Sequence, residues 1–317
     1  MGIETHGKSN ASAIGLMAVK FDKKKIMKCI RLVILISFFL LGCGTKNVSI
    51  DTPVIRDAGE TAQAGTTHFT SVISEVRGNV ALEVYLPPNW DRTDTVGYPV
   101  IFFLHGGTGD EKSFFDHVES QQLNQWISTG ELPPFVLIAI ESEYVSGEEG
   151  QWSSANNEIF LTSEDQGELR AWTRHFYNAG HNSRMISVHG QSRGARGALH
   201  YAFKYPTKFA AAMSNAFVSD YALEEEQLNA LTNKDAINAS GIKIRMVIGT
   251  EDNWVLDHNR QASYIMHDYL INIGITHEFE ILQNAGHQLN SMWVTSTQSG
   301  LDNGLYELKL HAEMWAK

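Results

Sequence analysis

The stretch that most restricts this chain is Gly190-Gln191-Ser192-Arg193-Gly194. Before it, Met185-Ile186-Ser187-Val188-His189 reads as a short buried β-strand. After it, Ala195 to Tyr205 reads as a helix, with Leu199, Ala202 and Phe203 on its apolar face and Pro206 ending it. A strand that reverses into a helix within so few residues needs glycine on both sides of the turn. A Cβ at either position would strike the neighbouring strand or helix. The serine between them is held clear of the sheet with a helix N-terminus behind it, the nucleophile-elbow pattern. The plain alternative is a glycine-containing β–α turn carrying a surface serine, and only partner residues elsewhere separate the two.

The remaining segments have the periods such a turn requires. Thr67 to Glu75 and Val80 to Leu86 are β-rich and flank the turn signal Arg77-Gly78-Asn79, which predicts an antiparallel hairpin stopped by Pro87-Pro88. Tyr98–Leu104, Phe135–Ile140, Ile242–Gly249 and His277–Leu282 read as strands, and Phe209–Ser214 as a short strand or buried segment. They alternate with helical stretches at Glu168–Tyr177, Glu224–Leu231, Asn259–Ile273 and Leu305–Trp315. On Asn259–Ile273 the periodicity turns Ala262, Ile265, Met266, Tyr269 and Leu270 inward. The expected fold class is α/β: a mostly parallel central sheet with helices on both faces and an N-terminal antiparallel hairpin, in one domain over 67–317. Residues 141–167 are polar around Trp152 and Phe160, and a loop that long in a compact domain suggests a lid or substrate wall. No GxxxxGK[S/T] or GxGxxG loop opens a helix, so no nucleotide cofactor is expected.

Three reactive side chains fall at the C-terminal ends of expected strands: Ser192, Asp252 and His287. Open α/β sheets carry their sites along that edge. A serine hydroxyl needs a base to become a nucleophile, and an imidazole titrates in the right range. His287 is the expected base, and an acid would set its tautomer and stabilise the imidazolium. Glu251 and Asp257 compete with Asp252 for that role, since all three follow the Ile242–Gly249 strand. The oxyanion formed on attack needs preorganised donors. The expected donors are the backbone N–H of Arg193 and those of Gly107 and Thr108 in His105-Gly106-Gly107-Thr108-Gly109. His105 is expected to brace that loop. Trp152, Trp254 and Trp293 lie near the site loops and are candidate substrate walls, with core packing the alternative. The chain order Ser, Asp, His is that of α/β-hydrolases.

With these residues in place the chain resembles the esterase family that includes esterase D, feruloyl esterases and acetylxylan esterases. The resemblance rests on Tyr98–Leu104 with His105-Gly106-Gly107, GQSRG, Gly249-Thr250-Glu251-Asp252, Gly286-His287 and Trp293, and spans roughly residues 70 to 316. It implies metal-free carboxylester hydrolysis through an acyl-enzyme, on feruloyl or acetyl esters of carbohydrates, and favours Asp252 as the acid. The chain departs from the family at Arg193, often a small residue or Met there, and at Ala195, often Gly. A peptidase or acyltransferase on the same three residues is the competing enzyme reading. A non-catalytic surface binding module on a hydrolase fold is the competing non-enzyme reading.

The front of the chain differs. Lys23, Lys24, Lys25, Lys28 and Arg31 precede an apolar run, Leu32 to Leu41, interrupted only by Ser37. Such a run suits an export signal and is too short for a membrane span of ~20 residues. Its end, Leu40-Leu41-Gly42-Cys43, resembles a bacterial lipobox, which implies a removed segment 1–42 and a lipid on Cys43. An ordinary signal peptide and a true start at Met27 are the alternatives. Residues 43–66 read as a tether. Cys29 and Cys43 are the two cysteines, so a Cys-rich metal site is excluded. Residues 1–42 hold seven of the 25 basic and two of the 36 acidic side chains, leaving a remainder of net charge −16. That surface repels nucleic acid. The expected location is the bacterial cell envelope, through the lipid anchor, with Gly44 favouring the outer membrane.

Overall fold

Eight strands form one sheet in the order β1-β2-β4-β3-β5-β6-β7-β8. They are β1 (Thr66–Ser74), β2 (Gly78–Leu86), β3 (Val100–Leu104), β4 (Val136–Ile140), β5 (Ile186–Gln191), β6 (Ala211–Asn215), β7 (Lys243–Gly249) and β8 (Glu278–Leu282). β1 and β2 form the antiparallel hairpin, with Val72 opposite Val80, and β2 joins β4 antiparallel. Every other pair is parallel. The computed structural model describes residues 63–142, 151–218, 223–253 and 258–316. The segment 1–42, Cys43 and nearly all of the tether lie outside them, as do Trp254 and Asp257. Among the described residues no helix is long and apolar enough to cross a membrane.

Nine helices accompany the sheet: α1 (Ser120–Ser128), α2 (Ala155–Thr162), α3 (Leu169–Tyr177), α4 (Arg193–Lys204), α5 (Leu223–Thr232), α6 (Lys234–Ser240), α7 (His258–Ile273), α8 (Leu289–Val294) and α9 (Asn303–Trp315), counted among the described residues. The two-residue period of a strand sorts them. Val100, Phe102 and Leu104 of β3 join Val188 of β5 in one core with Leu169, Leu199, Phe203, Met266 and Leu270 from α3, α4 and α7. Ile101 and Phe103 point the other way, into a core with Leu123, Trp126, Trp293 and Leu308 from α1, α8 and α9. β3 and β4 are fully buried, so neither of their faces alternates with polar residues.

The elements differ from the sequence expectation in three ways. Helices α1, α6 and α8 were not anticipated; they carry two, one and three buried residues. In α7 the inward line runs through Ala262, Met266 and Leu270 at a spacing of four. Ile265 falls beside it and is 47% exposed. Thirdly, the polar stretch 141–167 contains α2, so its described part is not a free loop. Ser154 caps α2 by accepting from the Asn157 N–H.

A polar cluster fixes α2 to α4, the helix behind Ser192. Glu158 of α2 accepts from the Tyr205 hydroxyl at 2.7 Å, meets His200 at 2.8 Å and pairs with Lys204. The other nitrogen of His200 meets Glu226 at 3.2 Å. Burial opposes a charge on His200, but the hydrogen bonds and charges of Glu158 and Glu226 outweigh it and raise its pKa to about 9. A raised folded pKa adds stability that is complete below the unfolded value of 6.5 and is lost as pH rises through about 9. The wild type should therefore lose Tm between pH 7 and pH 9.5 more steeply than His200→Gln. At pH 6.5 that variant should already be less stable by about 2 kcal/mol or more, with its buried carboxylates short of a partner. Thermal melts across this range check both; parallel curves would mean that His200 is neutral in the folded protein.

Candidate active site

Ser192 ends the turn between β5 and α4 with φ 58° and ψ −115°. A non-glycine residue held there stores about 1–3 kcal/mol of strain, so its surroundings must impose it. They do so from both sides. The Ser192 N–H donates to the Asn215 carbonyl of β6 at 2.9 Å, and its carbonyl accepts from the Arg196 N–H. A Cβ on Gly190 would lie 1.9 Å from the Gly194 oxygen, and one on Gly194 would lie 1.8 Å from the Leu104 oxygen. The glycines are therefore a packing requirement of α4 against β3 and β5. Gly194→Ala should lower Tm by about 10 °C through overpacking of about 3 kcal/mol or more, read from a thermal melt. An unchanged Tm would contradict the close approach.

The three side chains expected together do meet. The His287 ring lies 3.0 Å from the Ser192 Oγ through Nε2. Its Nδ1 lies 3.0 and 2.9 Å from the two carboxylate oxygens of Asp252. With the proton on Nδ1, the ring donates to Asp252 and accepts from the serine hydroxyl. Asp252 is fully buried, whereas Glu251 is exposed. Backbone pairing sets this choice between neighbours. The Glu251 N–H donates to the Ala285 carbonyl and the Asn284 N–H to the Thr250 hydroxyl, which zips the loop after β7 to the loop after β8. A Cβ on Gly249 would meet the Ala285 oxygen at 2.0 Å, so these loops approach closely only with glycine there.

A cavity of about 350 Å³ opens over the serine. Gly106, Gly107, Thr108, Ser192, Arg193 and His287 are among its lining residues. Arg193 lines this space, and its N–H, at the first position of α4, has no acceptor within its own helix. His105 lies behind the glycine loop. It accepts the Ser142 N–H on Nε2 at 3.1 Å, which leaves Nδ1 to donate to the Gly106 carbonyl at 2.6 Å. Burial lowers its pKa and keeps it neutral, as this two-sided bonding requires.

Of the two readings open for Trp152 and Trp293, burial places both rings in the core. Trp152 is 2% exposed, donates its indole N–H to the His105 carbonyl and meets the His105 ring edge-on at 5.3 Å. It braces the glycine loop from within the core. Trp293 is 1% exposed, packs edge-on against Phe114 at 5.4 Å and donates to Gln122. Neither lines the cavity. Near a site in sequence, a large aromatic on a buried face gains more from core packing than from exposure. Trp254 lies outside the described residues. Among the described residues, no group of three or more His, Cys, Asp or Glu is placed to hold a metal ion.

Residues 73–298 match the family described as Putative esterase. This chain is an esterase of that family. None of the curated proteins searched matches it in sequence. Among solved structures it is similar to a ferulic acid esterase at 14% identity, with 80% of this chain covering all of that one at TM-score 0.64. It is also similar to a ferulic acid esterase of the anaerobic fungus Anaeromyces mucronatus, at 16% identity over 83% of this chain and 96% of that one, TM-score 0.61. A third is S-formylglutathione hydrolase of Staphylococcus aureus, at 16% identity, 78% and 99% coverage and TM-score 0.54. At such identities the likeness shows the α/β-hydrolase fold.

The esterase has site residues that the sequence did not single out. Gln191 donates its side-chain amide to the His287 carbonyl, tying the turn before the serine to the loop that carries the imidazole. Ser291 accepts the Gly286 N–H at 2.8 Å and holds the other side of that loop. His117 and Val218 line the cavity. Only Gln191 had a sequence signal, a polar side chain inside the turn itself. The others come from segments without periodicity or motif.

Proposed function

We propose that this esterase is a serine carboxylesterase working through an acyl-enzyme at Ser192, on acyl esters of carbohydrates. What carries this reading is the unbroken hydrogen-bond chain Asp252–His287–Ser192 at 2.9–3.0 Å, ending on a serine that faces the cavity. The Ser192 Oγ attacks the ester carbonyl while His287 Nε2 takes the hydroxyl proton. Asp252 stabilises the imidazolium. The negative oxygen of the tetrahedral intermediate receives the N–H of Arg193 and those of Gly107 and Thr108. Collapse expels the alkoxide, which takes the proton from His287 and leaves as the alcohol. Water then gives a proton to His287 and attacks the acyl-serine, and the proton returns to Ser192 as the acid departs.

The carbohydrate ester is proposed because two of the structural neighbours are ferulic acid esterases by name. The protein is further proposed to be exported and held on the cell envelope through a lipid on Cys43, with 43–66 as its tether. Support for this is the basic-then-apolar segment ending in Leu40-Leu41-Gly42-Cys43. The test of the reaction is hydrolysis of p-nitrophenyl acetate, methyl ferulate and acetylated or feruloylated oligosaccharides, together with labelling of Ser192 by a fluorophosphonate probe. Labelling and turnover are expected. An unlabelled Ser192 with no ester cleaved would defeat the proposal.

A further inference from the structure

Resting on the reading of Ser192 as the nucleophile, we propose that the side chain of Arg193 selects esters that carry a carboxylate near the scissile bond. Two arginines sit in the first turn of α4, and that turn has no acidic residue. A cation there opposes the helix dipole. Arg196 is compensated: it pairs with Glu225 at 2.9 Å and Glu226 at 3.3 Å. Arg193 is not. Among the described residues its guanidinium makes no hydrogen bond or ion pair, and it lines the cavity over the serine.

Its position is defined. A Cβ on Gly107 would meet the Cδ, Nε and Cζ of Arg193 at 3.1–3.2 Å, so the guanidinium end of the side chain lies close against the glycine loop. The charge is therefore beside the spot where the ester carbonyl must sit to reach Ser192 and the loop N–H groups. Among the described residues, the cavity lining contains no Asp, Glu or Lys, and Arg193 is its one permanently charged member. The chain as a whole carries −11, which disfavours anions at long range. That field is screened beyond ~10 Å in ordinary salt, so a local cation decides affinity inside the cavity. A guanidinium offers a planar pair of N–H donors that fits a carboxylate. The carboxylate belongs to one of the two products, the acid or the alcohol, as in a dicarboxylic half-ester or an ester of a sugar acid.

Two matched pairs of esters separate these sources. Mono-p-nitrophenyl succinate against p-nitrophenyl butyrate places the charge on the acyl side. 4-Acetoxybenzoate against 4-acetoxybenzamide places it on the alcohol side. kcat/KM is measured for wild type, Arg193→Met and Arg193→Lys, with Ser192→Ala as blank. The anionic-to-neutral ratio of wild type is expected to exceed that of Arg193→Met by roughly 10- to 100-fold for at least one pair, the value of a charge-assisted hydrogen bond. Arg193→Lys should recover part of it, and the wild-type ratio should fall as salt is raised. The pair that responds assigns the carboxylate.

Equal ratios in wild type and Arg193→Met for both pairs overturn the proposal, even if every rate falls together. That pattern would make the guanidinium a general donor to the oxyanion. If Arg193→Met does not fold, a salt-independent wild-type ratio overturns it in the same way. A wild type that cleaves none of the four esters above the Ser192→Ala blank fails differently, by removing the nucleophile reading beneath this one.

Discussion

Ser192→Ala should lower kcat/KM for any ester substrate by about 10⁴- to 10⁶-fold and abolish fluorophosphonate labelling, while the fold survives. The size follows from the geometry. His287 Nε2 faces one hydroxyl at 3.0 Å, and without that hydroxyl the base has no nucleophile to activate. The cavity and the loop donors remain, so a small rate above water should persist. Alanine keeps a Cβ at φ 58° and neither relieves nor adds to the backbone strain. Melting temperature should therefore move by no more than about 2 °C, since the change replaces one partly exposed hydroxyl. Steady-state rates with mass spectrometry of the labelled protein make the measurement. A variant retaining a tenth of wild-type activity would show that another group does the chemistry.

The second large effect belongs to Asp252→Asn, expected to cost about 10⁴-fold in kcat near neutral pH. Both carboxylate oxygens lie at hydrogen-bond distance from Nδ1, and the carboxylate is wholly buried. An amide turned with its NH₂ toward Nδ1 would favour the tautomer protonated on Nε2, which cannot accept the serine proton. Turned the other way, it no longer balances the charge of the imidazolium. Glu251→Gln, one residue away and exposed, should stay within about twofold of wild type, as surface changes away from such features usually do. Similar losses in the two variants would mean that Asp252 is not the partner that matters.

The sequence carried the site further than the fold around it. GQSRG, with a strand before and a helix after, requires a particular packing. The contacts a Cβ would make at Gly190 and Gly194 are the physical content of that pattern. β3 and β4 were legible because their apolar runs, Val100–Leu104 and Val136–Ile140, are continuous, and the hairpin because Arg77-Gly78-Asn79 breaks two β-rich stretches. α2 was not legible. Its sequence, Ala155–Thr162, has no clean apolar stripe, and what holds it is Glu158 reaching residues more than forty positions away. The tryptophans stayed open between wall and core for a related reason: proximity to a site loop says nothing about which side of that loop a ring occupies. Trp152 is behind the glycine loop and Trp293 is in the far core.

Local chemistry along the chain thus determined the α/β class, the sharp turn at Ser192 and the short set of acids and bases able to serve it, because glycine sterics and apolar periodicity act between near neighbours. Only the tertiary structure buried Asp252 against the imidazole while leaving Glu251 exposed, placed two tryptophans in the core, and left Arg193 facing the cavity while Arg196 found its carboxylates. Those outcomes depend on pairings between loops and helices remote in sequence, and no spacing within one segment encodes them.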